Sequence, residues 1–479
     1  MFCGLDFGTS NSSIGTIQNN EPTLISIDGD NKYLPSIVYA KKNDIKVEAV
    51  DENEVRRLAD KDSRNKDNKN LTREQLETQI RNSLKKYLRE EAEEEYANQG
   101  IKDLTSSSKF IFGENAIKNQ ALYPNDGICT KSPKTFLGSK ISRYLLDSMG
   151  LIVENILAHI KNTAQITTNL DFDSIVLGRP VNYGVIANES SNKQAIDIMI
   201  CAAKNAGFKN IEFEYEPVAA AIDFERILPS ESNVLVVDIG GGTTDVTMMR
   251  LSPKFCKIID RTQHILASSG IRVGGNDFDI AFAFYKIMHY LGKESLGKKS
   301  NIINRNPPIS NTLYYDAVQI NDIHSMSRFK SSGELILSAY EKSSGEIKNK
   351  IGRLFTLHNK NYVYRLNHSS EMAKILLSEK DSINLPLKYL EDDLVIQLDK
   401  SDLIDAISSK TKPIRDLIND VVFSSGIKPD YIYVTGGSSK SPILMNLLFD
   451  EKEIKKVIPG DDFGSVTKGL TLVAKNRFS

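Results

Sequence analysis

Two short segments carry the residue types that phosphate chemistry needs. Asp6-Phe7-Gly8-Thr9-Ser10-Asn11 and Asp238-Ile239-Gly240-Gly241-Gly242-Thr243-Thr244-Asp245 each follow an apolar run, end it with Asp-x-Gly and lead into a second strand-like run. Glycine lets such a turn adopt positive φ and brings backbone N–H groups close to a ligand, and the neighbouring hydroxyls add donors. The Asp at each strand end stands where a hard, hydrated cation such as Mg2+ is held by one or two carboxylates through water. Either turn alone reads as a structural hairpin, because Gly and Asn fill turns of every kind. Two of them with matching Asp positions point to a duplicated lobe, each half giving one hairpin to a shared cleft.

Neither turn is a GxxxxGK[ST] loop, and neither leads at once into the helix that a dinucleotide fold requires. A third glycine turn does precede a helix. In Tyr431-Ile432-Tyr433-Val434-Thr435-Gly436-Gly437-Ser438-Ser439-Lys440-Ser441-Pro442 a strand breaks at Gly-Gly, and Pro442 is suited to a first helical turn. By itself this is as well explained by a plain strand-to-helix connection.

The elements that position these turns are legible as apolar runs and helical periods. Buried strands are predicted at Phe2 to Leu5, Ser174 to Leu177, Asn233 to Val237 and Tyr431 to Val434, with helices between them, for example Asn192 to Asn205 and Ser401 to Ser424. Strands alternating with long helices give an α/β class. Residues 51 to 109 are dense in charge, and Leu76, Ile80, Leu84 and Leu88 fall at i, i+4 spacing, so one long surface helix flanked by polar linkers is expected there. The stretch from about 290 to 365 holds Asn306-Pro307-Pro308 and several Ser-Ser pairs and reads as part of a variable subdomain.

The chain has 479 residues, enough for two large lobes, and its 40% hydrophobic and 26% charged residues exclude wholesale disorder. Lys plus Arg is 61 against 62 Asp plus Glu, so no bulk attraction to nucleic acid or an anionic membrane is expected. Cys3, Cys129, Cys201 and Cys256 are too far apart for a metal-ligand motif and are expected to be reduced thiols. The N-terminus lacks a basic stretch before an apolar one, and no apolar run approaches a membrane span, which predicts a cytoplasmic protein.

Taken in order, the motifs resemble the actin-like ATPase superfamily, and within it the nucleotide-binding domain of the heat-shock protein 70 (DnaK-type) chaperones. The resemblance runs through both phosphate turns, Leu34-Pro35-Ser36, Lys134-Thr135-Phe136-Leu137-Gly138, Gly178-Arg179-Pro180, Glu216-Pro217-Val218-Ala219-Ala220-Ala221, Gly274-Gly275-Asn276-Asp277-Phe278-Asp279, Glu371-Met372-Ala373-Lys374 with Ser378, and Gly436-Gly437. The ending Asp461-Asp462-Phe463-Gly464-Ser465-Val466-Thr467 is most similar to the short YegD-type homologues. The resemblance implies ribonuclease H-like duplicated lobes with a nucleotide cleft between them. Lobe I would cover residues 1–228, with a charged insertion at about 45–125, plus a C-terminal helix at 461–479; lobe II would cover 229–460, with the variable subdomain at about 275–405.

The resemblance also implies roles. Asp6 and Asp238 would hold Mg2+ through water, and Gly8, Thr9, Ser10, Asn11 and Gly240, Gly241 and Gly242 would hold the phosphates of ATP or ADP. Lys134 would contact the γ-phosphate and the attacking water, Glu216 would orient that water or the metal shell, and Thr243 and Asp245 would complete the hydrolytic site. Glu371, Lys374 and Ser378 would bind ribose and adenine opposite Gly275, Gly436, Gly437, Ser438 and Lys440, with Asp462 also at the nucleotide. Lys131, three residues before Lys134, is a rival for its role. Lys440 stands where the family usually has Arg, and an ammonium stacks on adenine less well than a guanidinium does.

The implied activity is slow ATP hydrolysis in a chaperone-like protein, with lobe closure regulating an unidentified protein partner. The chain stops at Ser479, so no peptide-binding domain is expected. The alternatives are a nucleotide-gated binding module without significant hydrolysis, an actin-fold small-molecule kinase, and a filament-forming protein of the same fold.

Overall fold

The apolar run at the N-terminus is a strand, Phe2–Phe7, and its residues Cys3, Leu5 and Phe7 are fully buried. The computed structural model describes residues 1–41, 50–62, 72–99, 110–184, 189–294, 309–460 and 464–479. They fall into two units, Met1–Tyr39 with Ile111–Asn125 and Cys129–Ser479, and Ala40–Phe110 with Asp126–Ile128.

The larger unit contains two sheets of the same design. In the first, the order is Glu21–Leu24, Asn11–Gln18, Phe2–Phe7, Ser174–Arg179, Asn210–Tyr215, with Leu34–Pro35 added beside Asn11–Gln18. In the second, it is Ile265–Ile271, Thr244–Leu251, Ser232–Ile239, Tyr431–Thr435, Val457–Pro459. Each begins as an antiparallel meander of three strands and continues with two parallel ones. The two Asp-x-Gly segments thus occupy equivalent places: Asp6 pairs with Ser13 across the first hairpin and Asp238 with Asp245 across the second. The duplication read from the two turns is a duplication of sheets.

Alternation along Ser232–Ile239 joins two cores. Leu235, Val237 and Ile239 face a large cluster with Phe278, Phe282 and Ile414, whereas Val234 and Val236 face a second cluster with Ala219, Leu470 and Val473. The second cluster holds two helices, Glu216–Glu225 and Ser465–Phe478, packed on each other; the latter also lies on Phe2–Phe7 and the former on Thr244–Leu251. Small residues allow that approach. A Cβ on Gly469 would fall 1.8 Å from Ala219 O, in backbone that cannot swing aside. Gly469→Ala gains about 1 kcal/mol of helix propensity but forces two helices apart, so we expect a net loss of about 2 kcal/mol or more, read as a lower urea midpoint. An unchanged midpoint would contradict this packing.

In the smaller unit the expected long helix is present at Arg73–Gln99, and Leu76 is buried while Ile80, Leu84 and Leu88 are half-buried. A second helix, Glu52–Asp62, stands where a polar linker was expected. Val55, Leu58 and Ala59 supply its apolar stripe, and Arg81 binds Glu52 through two hydrogen bonds of 2.9 and 2.8 Å. The stretch from about 290 to 365 and the residues after it fold, among the described residues, into helices that include Asn311–Asp316, Ile323–Lys330, Gly333–Lys342, Gly345–Asn359 and Val363–Glu379, followed by the hairpin of Ser382–Pro386 and Val395–Asp399. No helix among the described residues is long and apolar enough to cross a membrane.

Candidate active site

The two glycine turns face one another. A Cβ on Gly241 would stand 1.9 Å from Ser10 Oγ, and one on Gly242 would stand 2.8 Å from Thr9 Cγ2. Each turn is braced from behind. Ser36 Oγ donates to Gly8 O at 2.7 Å, and Ser36 N donates to Ser10 O at 2.8 Å, which explains the Leu34-Pro35-Ser36 motif as a clamp on the first turn. Gly240 N donates to Thr243 O at 2.9 Å, closing the second turn, while Gly275 N and Asn276 N donate to Gly240 O and Gly241 O at 2.9 and 2.8 Å.

Asn276 ties the parts together. Its Oδ1 accepts from Ser10 Oγ at 3.5 Å, and its Nδ2 donates to Ser132 Oγ at 3.1 Å. Ser132 is a non-glycine residue in the left-handed region, φ 56°, immediately before the short turn Pro133–Phe136 that carries Lys134. Such a conformation costs about 1–3 kcal/mol and persists only where its surroundings fix it. Here Ser132 N also donates to Ser36 O at 2.8 Å, so the residue two before Lys134 is bonded to Ser36 and Asn276, the two residues that brace the turns.

Lys134 and Glu216 form a buried ion pair of 2.5 Å, with 6% and 9% of their side chains exposed. Glu216 does begin a helix with Pro217 in its first turn, and the same position buries its carboxylate against Lys134, so its structural and chemical readings coexist. Gly178 lies against Glu216, a Cβ there being 3.2 Å from Glu216 Cγ. Asp6, Asp238 and Asp245 share the electrostatic surroundings of this pair. Burial first, then the Glu216 charge, pushes Asp6 up to about 7, against the pull of Lys134. Burial and Glu216 likewise raise Asp245 to about 7, although Val181 N donates to its Oδ1 at 2.8 Å. Asp238 is raised well above the carboxylate range by burial, Glu216, Asp245 and Asp6. For Lys134, burial disfavours the ammonium, but Glu216, Tyr183 and Asp6 outweigh it and the pKa is raised.

Four carboxyl groups thus share one ammonium, and three of them are held toward the neutral form. That surplus is what a divalent cation would neutralise. Among the described residues no three His, Cys, Asp or Glu side chains form a direct metal cage. Mg2+ keeps several waters and needs only one or two protein carboxylates, so the residues present fit it.

A second cluster lies at the rim. Lys374 Nζ contacts Asp279 Oδ1 at 2.7 Å and Gly275 O at 3.3 Å, and Ser378 Oγ bonds Lys374 O and Ser441 Oγ, both at 3.0 Å. Ser438 Oγ is 2.9 Å from where a Cβ on Gly275 would stand, so Gly275, Lys374 and Ser438 are brought together. Gly436 has φ +85° and lies so close to the second hairpin that a Cβ would be 2.8 Å from Asp238 Oδ1. Gly437 opens, and the exposed Lys440 ends, the short turn Gly437–Lys440 that follows.

Glu371 is paired with Lys131 rather than standing open: Lys131 Nζ bonds Glu371 Oε2 at 3.1 Å and Asn367 Oδ1 at 3.0 Å. Burial opposes the Glu371 carboxylate, but Lys131, His368 and Lys374 hold it well below the usual range. Lys131 and Lys134 therefore point to different clusters. Asn11 and Thr243 remain at the ends of their turns, and Asp462 lies outside the described residues.

Ser36, Asn276 and Asn367 belong to the site without standing out in the sequence as ligands. Asn276 sits within Gly274-Gly275-Asn276-Asp277-Phe278-Asp279, and its burial to 1% is the signal that structure adds. A cavity of about 410 Å3, lined by residues including Glu21, Arg226 and Lys468, lies away from this chemistry.

Residues 149–295 match the family model described as MreB/Mbl protein. The chain is 24% identical over 478 residues to the chaperone protein DnaK of Carsonella ruddii (strain PV), covering 96% of this chain and 60% of that protein. It is 24% identical over 457 residues to the chaperone protein dnaK of Emiliania huxleyi, covering 93% and 55%. With the chaperone protein HscA of Xenorhabdus nematophila it shares 24% identity over 288 residues, covering 58% and 36%. The chain thus spans no more than about three-fifths of the length of these relatives. With two like sheets, paired Asp-x-Gly hairpins and these similarities, the chain has the actin-like ATPase fold and is similar in sequence to the heat-shock protein 70 chaperones.

Proposed function

We propose that the chain binds ATP between its two glycine turns and hydrolyses it slowly, using the change of nucleotide to regulate contact with a protein partner. The observation that carries this reading is the buried Lys134–Glu216 pair set among Asp6, Asp238 and Asp245 where the two turns meet. Asp6 and Asp238 are the residues that would hold Mg2+, which when bound supplies positive charge to the phosphate oxygens. The backbone N–H groups of Gly8 to Asn11 and Gly240 to Gly242 are the donors for the β- and γ-phosphates. Lys134 offsets charge on the γ-phosphate, and Glu216 orients the attacking water. Water oxygen bonds to the γ-phosphorus, the bond to the β-phosphate bridging oxygen breaks, one water proton stays on the hydrogenphosphate formed and the other passes to solvent, and ADP is left with the bridging oxygen. Phosphoryl transfer needs positioning and charge stabilisation more than covalent help, which is what these groups offer. Thr243 and Asp245 complete the hydrolytic side; Gly275, Glu371, Lys374, Ser378, Gly436, Gly437, Ser438, Lys440 and Asp462 form the nucleoside side.

Because γ-phosphate contacts come from both hairpins, their loss on hydrolysis removes a stabilisation specific to the closed arrangement of the two sheets. A partner that favours one arrangement is thereby controlled. Four free cysteines suit a cytoplasmic setting. Hydrogen exchange tests the reading: Mg2+ with ATP is expected to protect amides in 8–11, 240–243 and 274–276 together, more than ADP does. Protection confined to one turn, or none, would contradict it.

A further inference from the structure

Ser132 stands where the backbone is under strain and the charged cluster begins. It is fully buried, its φ is 56° and its ψ 51°, and Pro133 follows it. A side chain disfavours that conformation, and a proline pushes the residue before it towards extended backbone. The turn behind it is stiff, because Pro133 has a fixed φ and Thr135 N donates to Ser132 O at 3.0 Å. The direction in which Lys134 leaves is therefore set at Ser132. Relaxing to extended backbone would turn φ by about 130° and carry the turn, and with it Lys134, away from Glu216.

Two bonds oppose that relaxation, one from each side of the cluster. Ser132 N donates to Ser36 O at 2.8 Å, and Ser36 N donates to Ser10 O at 2.8 Å, so this bond belongs with the first glycine turn. The other comes from Asn276, whose Nδ2 donates to Ser132 Oγ at 3.1 Å. Asn276 travels with the second turn. Its N donates to Gly241 O at 2.8 Å, and the backbone before it is packed so closely that a Cβ on Gly274 would stand 2.6 Å from Gly240 O and 2.7 Å from Gly242 N. Its Oδ1 is engaged only at the limit of a hydrogen bond, 3.5 Å from Ser10 Oγ. Asn276 and Ser132 are both buried, so water has little access to the bond between them while the turns meet.

We propose that Asn276 is a positioning residue for ATP cleavage: its bond holds Ser132 left-handed and so keeps Lys134 on the cluster only while the second turn sits against the first. The chemistry is thereby tied to the meeting of the turns, since their separation withdraws the bond and leaves Ser132 to relax. The effect on rate rests on the ATPase reading above, whereas the placement of Lys134 rests on the fold alone. Asn276 acts through Ser132, so its loss lowers the fraction of chains in which Lys134 is in place and leaves the contacts to ATP as they are.

The test is a double-mutant cycle in the full chain. Glycine adopts the left-handed conformation without steric cost, so Ser132→Gly makes the brace dispensable. Asn276→Ala is expected to slow single-turnover cleavage about tenfold with ATP affinity within about threefold, and to slow it by less than about twofold once Ser132 is glycine. In parallel, acylation of Lys134 by acetic anhydride, read by mass spectrometry on the nucleotide-free chain, is expected to rise about tenfold in Asn276→Ala and to fall back in the double variant. Should Asn276→Ala melt early, Ser132→Ala and Ser132→Gly ask the same question. Both remove the bond and only glycine removes the strain, so the alanine variant is expected to be the slower and the more readily acylated. An equal effect of Asn276→Ala in both backgrounds, a loss of ATP affinity that matches the loss of rate, or alanine and glycine alike at Ser132 overturns the proposal. If the wild-type chain cleaves no ATP, the reading of the cleft fails instead, and acylation of Lys134 across the same variants still decides what Asn276 does.

Discussion

Lys134→Ala is expected to slow single-turnover hydrolysis of ATP by about 10²-fold or more while changing ATP affinity by less than about tenfold. The reason is differential. An ammonium that offsets γ-phosphate charge contributes more as charge redistributes in the transition state than it does in the ground state. Its loss also leaves Glu216, whose side chain is only 9% exposed, as a buried carboxylate without its cation. Lys131→Ala is expected to leave the chemical step nearly unchanged, because Lys131 is engaged with Glu371 and Asn367 at the rim. The measurement is a rapid-quench time course beside an equilibrium titration with labelled ATP. If Lys131→Ala slows cleavage and Lys134→Ala does not, the lysine roles are reversed.

The second large effect is on stability and follows from the same carboxylates. Asp6 and Asp245 are raised from 3.8 to about 7 in the folded chain, burial being the main cause, so the folded state holds their protons more tightly than the unfolded state does. The contribution of these groups to stability is therefore fully present below their unfolded value and is lost as pH rises through about 7. The nucleotide-free chain is expected to melt at progressively lower temperature between about pH 5 and pH 8, and Asp6→Asn to flatten that slope. Mg2+ with ATP should reverse the trend, stabilising most at the upper end where the carboxylates are ionised. A slope identical in Asp6→Asn and wild type would show that Asp6 is not a buried charge.

Much of the site was legible in the sequence because it rests on local chemistry. Gly at a turn and Asp at a strand end are choices that the backbone dictates within a few residues, and both hairpins fold as Asp-x-Gly turns between paired strands. The four strands and the two helices predicted from apolar runs and period are present for the same reason. The supports were not legible. Ser36 clamps Gly8, and Asn276 reaches Ser10 and Ser132, through contacts far apart in sequence. A Ser or Asn carries no mark of such a partner until the chain is folded. The choice between Lys131 and Lys134 was open in sequence, since both are lysines beside one turn; Ser132 at positive φ sends them to different neighbours. The helix Glu52–Asp62 was missed because its stripe is three residues long and its charge density hides it.

Phosphate release from ATP by the purified chain under single-turnover conditions, with Mg2+ and then with EDTA, tests the central claim most directly. The site as built gives one phosphate per bound ATP, released slowly, dependent on Mg2+ and slowed by about 10²-fold or more in Lys134→Ala. Tight, Mg2+-dependent ATP binding with no phosphate released over many hours would contradict hydrolysis at this cluster and leave a nucleotide-gated binding module in its place.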